Sequence, residues 1–255
     1  MSDDDPQPIR HAAALVAAAR EILVLTGAGI SAESGIPTFR EAQTGLWAKF
    51  SPEDLATPEA FARHPERVWS WYQWRRALIA RGGVNAGHRA IAQLGALRRV
   101  FVATQNVDGL HAAAGSRAIA ELHGNIWRDR CGACDATVDH EVAEPDTQDP
   151  AYCRRCGAMM RPDVVWFGEM LPTEALQAAE SALARADAVL VVGTSNRVYP
   201  AAALVDAAIE SARPVIEINP RPTGVSHAVD VRIADSASSA LPALVALLDE
   251  APANG

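Results

Sequence analysis

The sequence predicts an α/β protein: a Rossmann-like, doubly wound parallel sheet carrying a helical insert and a small zinc-ribbon module. Three observations predict it. Short apolar runs such as Glu21-Ile22-Leu23-Val24-Leu25 and Ala188-Val189-Leu190-Val191-Val192 alternate with helical periods along the chain, the pattern of parallel strands covered by helices on both faces. The first run empties into Gly27-Ala28-Gly29-Ile30-Ser31-Ala32, a Gly-x-Gly-x-x-Ala turn whose backbone N–H groups suit a pyrophosphate, with Ala32 allowing a helix to pack near the strand. Two Cys-x2-Cys pairs then break the alternation, so a metal-pinned unit is set into the sheet.

The glycine motif alone leaves two readings open, a phosphate cradle opening a helix with a free N-terminus or a tight turn. No strand ending in Asp or Glu follows about twenty residues on, as a dinucleotide dehydrogenase requires. An ordinary dehydrogenase is therefore disfavoured. With 255 residues, 49% hydrophobic and 21% charged, the chain is long enough for one large or two smaller cores. Its net charge of −8 argues against a nucleic-acid partner, which wants clustered Lys and Arg. Met1-Ser2-Asp3-Asp4-Asp5-Pro6 is no signal peptide, and the apolar runs are too short for a membrane span. A cytoplasmic location and no membrane partner are expected.

Taken in order, residues 9 to 20 carry a helical apolar period into the first strand. Ser51-Pro52-Glu53-Asp54 and Thr57-Pro58-Glu59-Ala60 both read as helix starts, with a cap, Pro at the first position and acids in the first turn. Arg67 to Arg81 predicts a longer helix holding Trp69, Trp71 and Trp74, half of the six tryptophans, as pocket wall or plain core. Tyr72 and Arg75, polar tips three apart on one face, favour the pocket. Asn85 to Leu97 predicts a helix and Arg99 to Thr104 the second buried strand, which runs into Gln105-Asn106-Val107-Asp108-Gly109. Polar residues at the carboxyl end of a parallel strand are where open α/β sheets bind ligands, although the same residues make turns and caps. Ala118 to Leu122 is a further short strand, ending at His123, whose imidazole suits a general base near neutrality.

Cys131-x2-Cys134 and Cys153-x2-Cys156, separated by eighteen residues, have zinc-site spacing, and four thiolates leave no position open for water, so such a metal is structural. Disulfides or redox pairs are the alternative, disfavoured without secretory features. Met160 to Glu169 is expected to return to the sheet. A helix from Leu171 to Ala186 follows, then the strand at 188–192 ending in Gly193-Thr194-Ser195, a second phosphate or ribose loop or a helix cap. Strands at 214–219 and 229–233 and a helix from Leu241 to Leu248 close the chain. The expected division is a discontinuous Rossmann-like domain (9–40, 86–126 and 161–249), a helical insert (41–85) and a zinc module (127–160).

Read together, Gly27-Ala28-Gly29-Ile30-Ser31, Gly35-Ile36-Pro37-Thr38-Phe39-Arg40, Thr104-Gln105-Asn106-Val107-Asp108, His123-Gly124, the four cysteines, Phe167-Gly168-Glu169 and Gly193-Thr194-Ser195 resemble the sirtuins, NAD-dependent protein-lysine deacylases, over nearly the whole chain. The resemblance implies NAD as co-substrate, one structural zinc, and an acyl-lysine protein or peptide entering between two lobes. It implies that the acyl oxygen attacks the anomeric carbon as nicotinamide leaves, and that His123 then deprotonates a ribose hydroxyl that attacks the acyl carbon, giving lysine and O-acyl-ADP-ribose. By matching motif, Gln105, Asn106 and Asp108 line the nicotinamide ribose and its pocket. Gly27, Ala28, Gly29, Ser31, Ala32, Pro37, Thr38, Phe39, Arg40, Trp47, Gly193, Thr194, Ser195, Asn219 and Ala237 hold the rest of the cofactor. Val164, Val165, Phe167, Gly168 and Glu169 are expected to pair edge-on with the substrate peptide.

Tyr72-Gln73-Trp74-Arg75 resembles the Tyr-x-x-Arg of the sirtuin subgroup that removes malonyl, succinyl and glutaryl groups. Arg75 offers a planar fork and Tyr72 a hydroxyl to a carboxylate, and Ala42 leaves room for the longer acyl chain. Removal of both acetyl and acidic acyl groups by a monomer is the resulting expectation. A protein mono-ADP-ribosyltransferase and a non-enzymatic NAD-binding scaffold are the alternatives. Asn196-Arg197 departs from the small or apolar residues usual in relatives, and Glu41 adds an acid beside the acyl pocket.

Overall fold

The computed structural model describes residues 7–37, 49–145, 147 and 149–249. Thr38, Phe39, Arg40, Ala42 and Trp47, all expected site residues, lie outside them, as does Glu41. The described strands are β1 (Glu21–Thr26), β2 (Arg99–Thr104), β3 (Ile119–Glu121), β4 (Gly124–Cys131), β5 (Thr137–Asp139), β6 (Met160–Val164), β7 (Ala188–Val192), β8 (Val215–Ile218) and β9 (Val231–Ile233). Six of them form a parallel sheet in the order β3-β2-β1-β7-β8-β9. The chain winds outward from β1 in one direction and from β7 in the other, so the topological switch falls between these two strands, where open α/β sheets bind ligands.

Alternation along β1 decides what each face packs against. Ile22 and Val24 point into one core with α1 (Gln7–Ala18), α5 (Ala86–Leu97) and α9 (Ala237–Asp249), while Leu23 and Leu25 point into the other with α7 (Thr173–Arg185) and α8 (Ala203–Glu210). Both faces are therefore apolar and both are covered. The Thr57 cap falls where the sequence places it, with Oγ1 accepting from the N–H of Ala60 at the start of α3 (Pro58–Arg63), and α5 is capped by Asn85, whose Oδ1 accepts from the N–H groups of Gly87 and His88.

Three expectations are corrected. The helix after the glycine turn, α2 (Gly29–Ala32), is a single turn, and the N–H groups of Gly29, Ile30 and Ser31 already bond to the carbonyls of Gly193, Gly27 and Ala28. A long helix dipole therefore contributes little there. The closing helix α9 starts at Ala237 rather than at Leu241, with Pro242 as its sixth residue, where it withholds one N–H from the helical ladder. The extended run from Met160 does not rejoin the parallel sheet. Its strand β6 pairs antiparallel with β4, which pairs in turn with β5. An apolar run with a proline fits either sheet locally, and its partner is set by the chain that the sulfur site draws together.

Against the small sheet lies α4 (Pro65–Gly82). Its tryptophans serve as core: Trp69 packs on Cys131, Cys153 and Met160, and Trp71 and Tyr72 pack with Ile126, Trp127, Val164 and Trp166. Arg76, one turn on from Tyr72, is buried and donates to Asp129 Oδ1 at 2.6 Å and to the Ile126 carbonyl at 2.7 Å, while His140 Nε2 sits 2.7 Å from Asp129 Oδ2. This ion pair fastens the helical insert to the small sheet.

Candidate active site

The loops after β1, β2 and β7 converge at the switch point. Gly29 N donates to the Gly193 carbonyl at 2.7 Å, and a Cβ on Gly29 would lie 2.6 Å from that oxygen. A Cβ on Gly27 would lie 2.8 Å from the Thr194 Cβ. These two glycines are required because the two loops touch backbone to backbone. Gly193 itself has φ +60°.

Thr194 and the β2 loop are stitched together. Gln105 Nε2 donates to Thr194 Oγ1 at 3.2 Å, and Asn219 Nδ2 donates to the Thr194 carbonyl at 3.1 Å. Asn106 Nδ2 donates to the Gly27 carbonyl and to Ser31 Oγ, and Ser31 Oγ donates to Asp108 Oδ2 at 2.7 Å. Gly27, Gly29, Ser31, Gln105, Asn106, Asp108, Gly193, Thr194 and Asn219 thus form one connected group. Ala28 and Ala32 flank it in the same turn. Ser195 is exposed at its rim, and Pro37 ends the described part of the loop after α2. Ala237 is buried at the start of α9, its carbonyl within 3.1 Å of a Cβ on Gly87.

His123 follows β3, half-buried, with Nδ1 2.9 Å from the Gln105 carbonyl. A carbonyl oxygen can only accept, so Nδ1 carries the hydrogen and the neutral ring keeps its lone pair on Nε2. Burial lowers its pKa, and the Gln105 carbonyl opposes this. The ring is thereby held as a neutral base.

Beneath this group the sequence analysis missed a buried histidine pair. The rings of His88 and His111 lie 5.0 Å apart; His88 Nε2 is 3.4 Å from Ser31 Oγ, and His111 Nε2 is 2.9 Å from Thr26 Oγ1. Burial pushes the His111 imidazole down to about 3. The available signal was two histidines at the starts of helices that flank the glycine loop.

The expected pair Tyr72 and Arg75 lies in α4's packing, with Arg75 half-buried. Tyr72 is buried, with its phenol pushed up to about 12 by burial. Its Oη accepts from Trp166 Nε1 at 2.9 Å. The Arg75 guanidinium carbon is 5.1 Å from the Trp71 ring centre, and burial lowers its pKa, with Tyr72 and Asp108 acting against that. Beside them, Val164 ends β6, and the N–H groups of Val165, Trp166, Phe167 and Glu169 are committed to the His123 carbonyl, Glu169 Oε2, the Ala56 carbonyl and the Trp166 carbonyl. Gly168, at φ +87°, keeps its N–H without a partner among the described residues. The Phe167 side chain is 53% exposed. The Glu169 carboxylate is held by Arg161 at 2.6 Å and Arg130 at 3.2 Å. A cleft of about 250 Å³ beside this segment is lined by Arg128, Arg130, Asp163, Val165 and Met170 among others.

Cys131, Cys134, Cys153 and Cys156 bring four Sγ atoms within 4.8 Å of one another, with Cys131 to Cys156 at 3.4 Å and Cys134 to Cys153 at 3.6 Å, and none is in a disulfide. Sulfurs about 2.3 Å from a tetrahedral zinc lie close to these separations. Such sulfurs cannot all ionise without a cation: backbone N–H groups of Arg155 and Cys156 draw Cys153 down to about 6, while Cys156 is pushed up to about 12, its sulfur neighbours outweighing the Ala158 N–H. The donor set fits one structural zinc.

Comparison with known proteins agrees with this layout. The Sir2 family model matches residues 27–200. The chain is 51% identical over 240 residues to the NAD-dependent protein deacylase of Ralstonia nicotianae, covering 92% of this chain and 95% of that protein. A crystal structure of a Sir2 homolog–NAD complex superposes with a TM-score of 0.88 at 40% identity, covering 94% of this chain and 93% of that one. The structure of Sir2Af2 bound to a myristoylated histone peptide superposes at 0.78 and 34% identity, covering 96% and 98%. The protein belongs to the Sir2 family. It has the fold of NAD-binding Sir2 proteins and the four-cysteine site of one structural zinc. Among the described residues no helix is long and apolar enough to cross a membrane.

Proposed function

We propose that the chain is an NAD-dependent protein-lysine deacylase acting on acidic acyl groups, succinyl and malonyl, as well as on acetyl. The observation that carries the deacylase reading is His123 Nδ1 on the Gln105 carbonyl while the Gln105 amide holds Thr194 of the opposite loop. One residue thus orients the base through its main-chain carbonyl and closes the cofactor cradle through its side-chain amide. NAD, when bound, supplies a ribosyl carbon from which nicotinamide departs. In this reading Asn106 and Asp108 line the nicotinamide ribose, and the Gly27–Gly29 and Gly193–Ser195 loops hold the diphosphate and adenosine side. The acyl oxygen takes the place of nicotinamide on that carbon; His123 Nε2 then takes the proton from a ribose hydroxyl, so that this oxygen attacks the acyl carbon, and lysine leaves as one water is consumed. Lysine and O-acyl-ADP-ribose are the products.

Support for the acidic acyl preference comes from Tyr72 and Arg75. The phenol stays protonated at neutral pH, and Arg75 lies within electrostatic reach of it, so a carboxylate entering here meets one donor and one guanidinium. Val164 to Glu169 borders the lysine entrance, with the Gly168 N–H available to a peptide main chain. A panel of acetyl-, malonyl-, succinyl- and glutaryl-lysine peptides with NAD, repeated with Arg75→Met, tests the reading. Loss confined to the acidic substrates is expected; equal loss on acetyl and succinyl peptides removes the carboxylate role. Attachment of ADP-ribose to protein instead of O-acyl-ADP-ribose release supports a mono-ADP-ribosyltransferase.

A further inference from the structure

Trp166 belongs to the segment that borders the lysine entrance and reaches from it to Tyr72. Its ring is 2% exposed. The Arg161 guanidinium carbon lies 3.3 Å from its centre, the Phe61 ring centre 5.4 Å away, and its main-chain N–H donates to Glu169 Oε2 at 2.8 Å. Glu169 in turn holds both terminal nitrogens of Arg161, at 2.6 and 3.0 Å. The indole is therefore fixed in plane and in depth. From that position its Nε1–H reaches Tyr72 Oη at 2.9 Å.

A phenol has one hydrogen to give and lone pairs to receive with. On Tyr72 a lone pair is occupied by the Trp166 N–H, and among the described residues no acceptor takes the phenol hydrogen. The edge contact of Tyr72 with Trp71, ring centres 4.7 Å apart, holds the ring from the other side. A buried donor without an acceptor is costly unless a ligand satisfies it. With the Trp166 bond fixing one side of the oxygen, its hydrogen is directed away from the indole.

We infer that Trp166 is a positioning residue for acyl-group selection: its indole N–H occupies Tyr72 Oη so that the phenol hydrogen is presented to the carboxylate of an acidic acyl chain. This rests on the acidic-acyl reading of Tyr72 and Arg75. An acetyl group ends in a methyl and gains nothing from that hydrogen, so Trp166 separates the substrates without touching the transferred atoms. The arrangement also links the two recognition events, because the segment that meets the peptide main chain carries the residue that orients the pocket hydroxyl.

The test compares kcat/KM for succinyl- and acetyl-lysine forms of one peptide. In Trp166→Phe the succinyl value is expected to fall about tenfold relative to acetyl, the scale of one hydrogen bond to a charged group, with the change in the KM for the succinyl peptide and the KM for NAD unmoved. In a Tyr72→Phe background, the same substitution is expected to leave the succinyl-to-acetyl ratio unchanged. Should Trp166→Phe fold poorly by its melting temperature, 3-benzothienylalanine at position 166 keeps the bicyclic ring and removes only the N–H. Equal loss on both substrates, or a full effect of Trp166→Phe without the Tyr72 hydroxyl, overturns the inference. A wild-type protein that deacetylates but does not desuccinylate overturns it together with the acidic-acyl reading, whereas an effect on Arg75→Met without one at Trp166 overturns the inference alone.

Discussion

The two sheets are held together by different physics. The parallel sheet buries apolar side chains on both faces, with every residue of β7 and β8 buried, so its order follows from area removed from water. The antiparallel sheet has a fully exposed strand, β5, and a small core of Trp69, Met160 and the cysteine sulfurs. Four sulfurs and ion pairs, Arg76–Asp129 and Arg161–Glu169, do there what apolar burial does in the larger unit. The difference teaches where each is vulnerable: the first to loss of packing, the second to loss of a cation or of one charge.

Removing zinc breaks the comparison most completely. With a chelator, or in Cys131→Ser, the small sheet is expected to open while the parallel sheet stays folded, because a structural zinc contributes on the order of 10 kcal/mol to the unit it pins. Hydrogen exchange by segment reads this directly: loss of protection confined to residues 124–164 is expected, and a single global transition contradicts it. Next comes Arg76→Ala, which leaves Asp129 buried without its partner and is expected to cost about 3–5 kcal/mol, measured as a drop in the urea midpoint. A loss no greater than that of an exposed pair such as Arg81–Glu144 removes the ion pair from the account.

In the larger unit, Gly29→Ala forces a methyl against the Gly193 carbonyl, with an expected loss of about 1–3 kcal/mol from overpacking and weaker NAD binding by calorimetry. Unchanged NAD affinity would separate the cradle from the glycine. The smallest effect is one of pH. His111 is held neutral in the fold, far below its unfolded value. As pH falls below about 6.5 the unfolded chain gains a proton that the folded chain refuses, so stability decreases, by about 1 kcal/mol between pH 6.5 and 5.5. Urea denaturation at both values should show the decrease in wild type and a smaller one in His111→Asn.

Much of this was legible because it is local. The buried strands, the Thr57 cap, the glycine turn and the cysteine spacing each lie within a few residues of the signal that predicts them. What was not legible depends on pairing across distance. Trp166 and Tyr72 are 94 residues apart, Arg76 and Asp129 are 53 apart, and β6 reads alike whichever sheet it joins. The histidine pair escaped because a lone histidine at a helix start carries no mark of the second one it will meet.

The central claim is that a neutral His123, oriented by Gln105, completes an acyl transfer begun by departure of nicotinamide. It is tested most directly by following nicotinamide, free lysine peptide and O-acyl-ADP-ribose together in wild type and His123→Ala. Wild type should yield the three in equal amounts, and His123→Ala should lose lysine-peptide formation by about 10²–10⁴-fold with its binding of NAD preserved. Full deacylation by His123→Ala, or nicotinamide release from wild type with no acyl group moved, would contradict it.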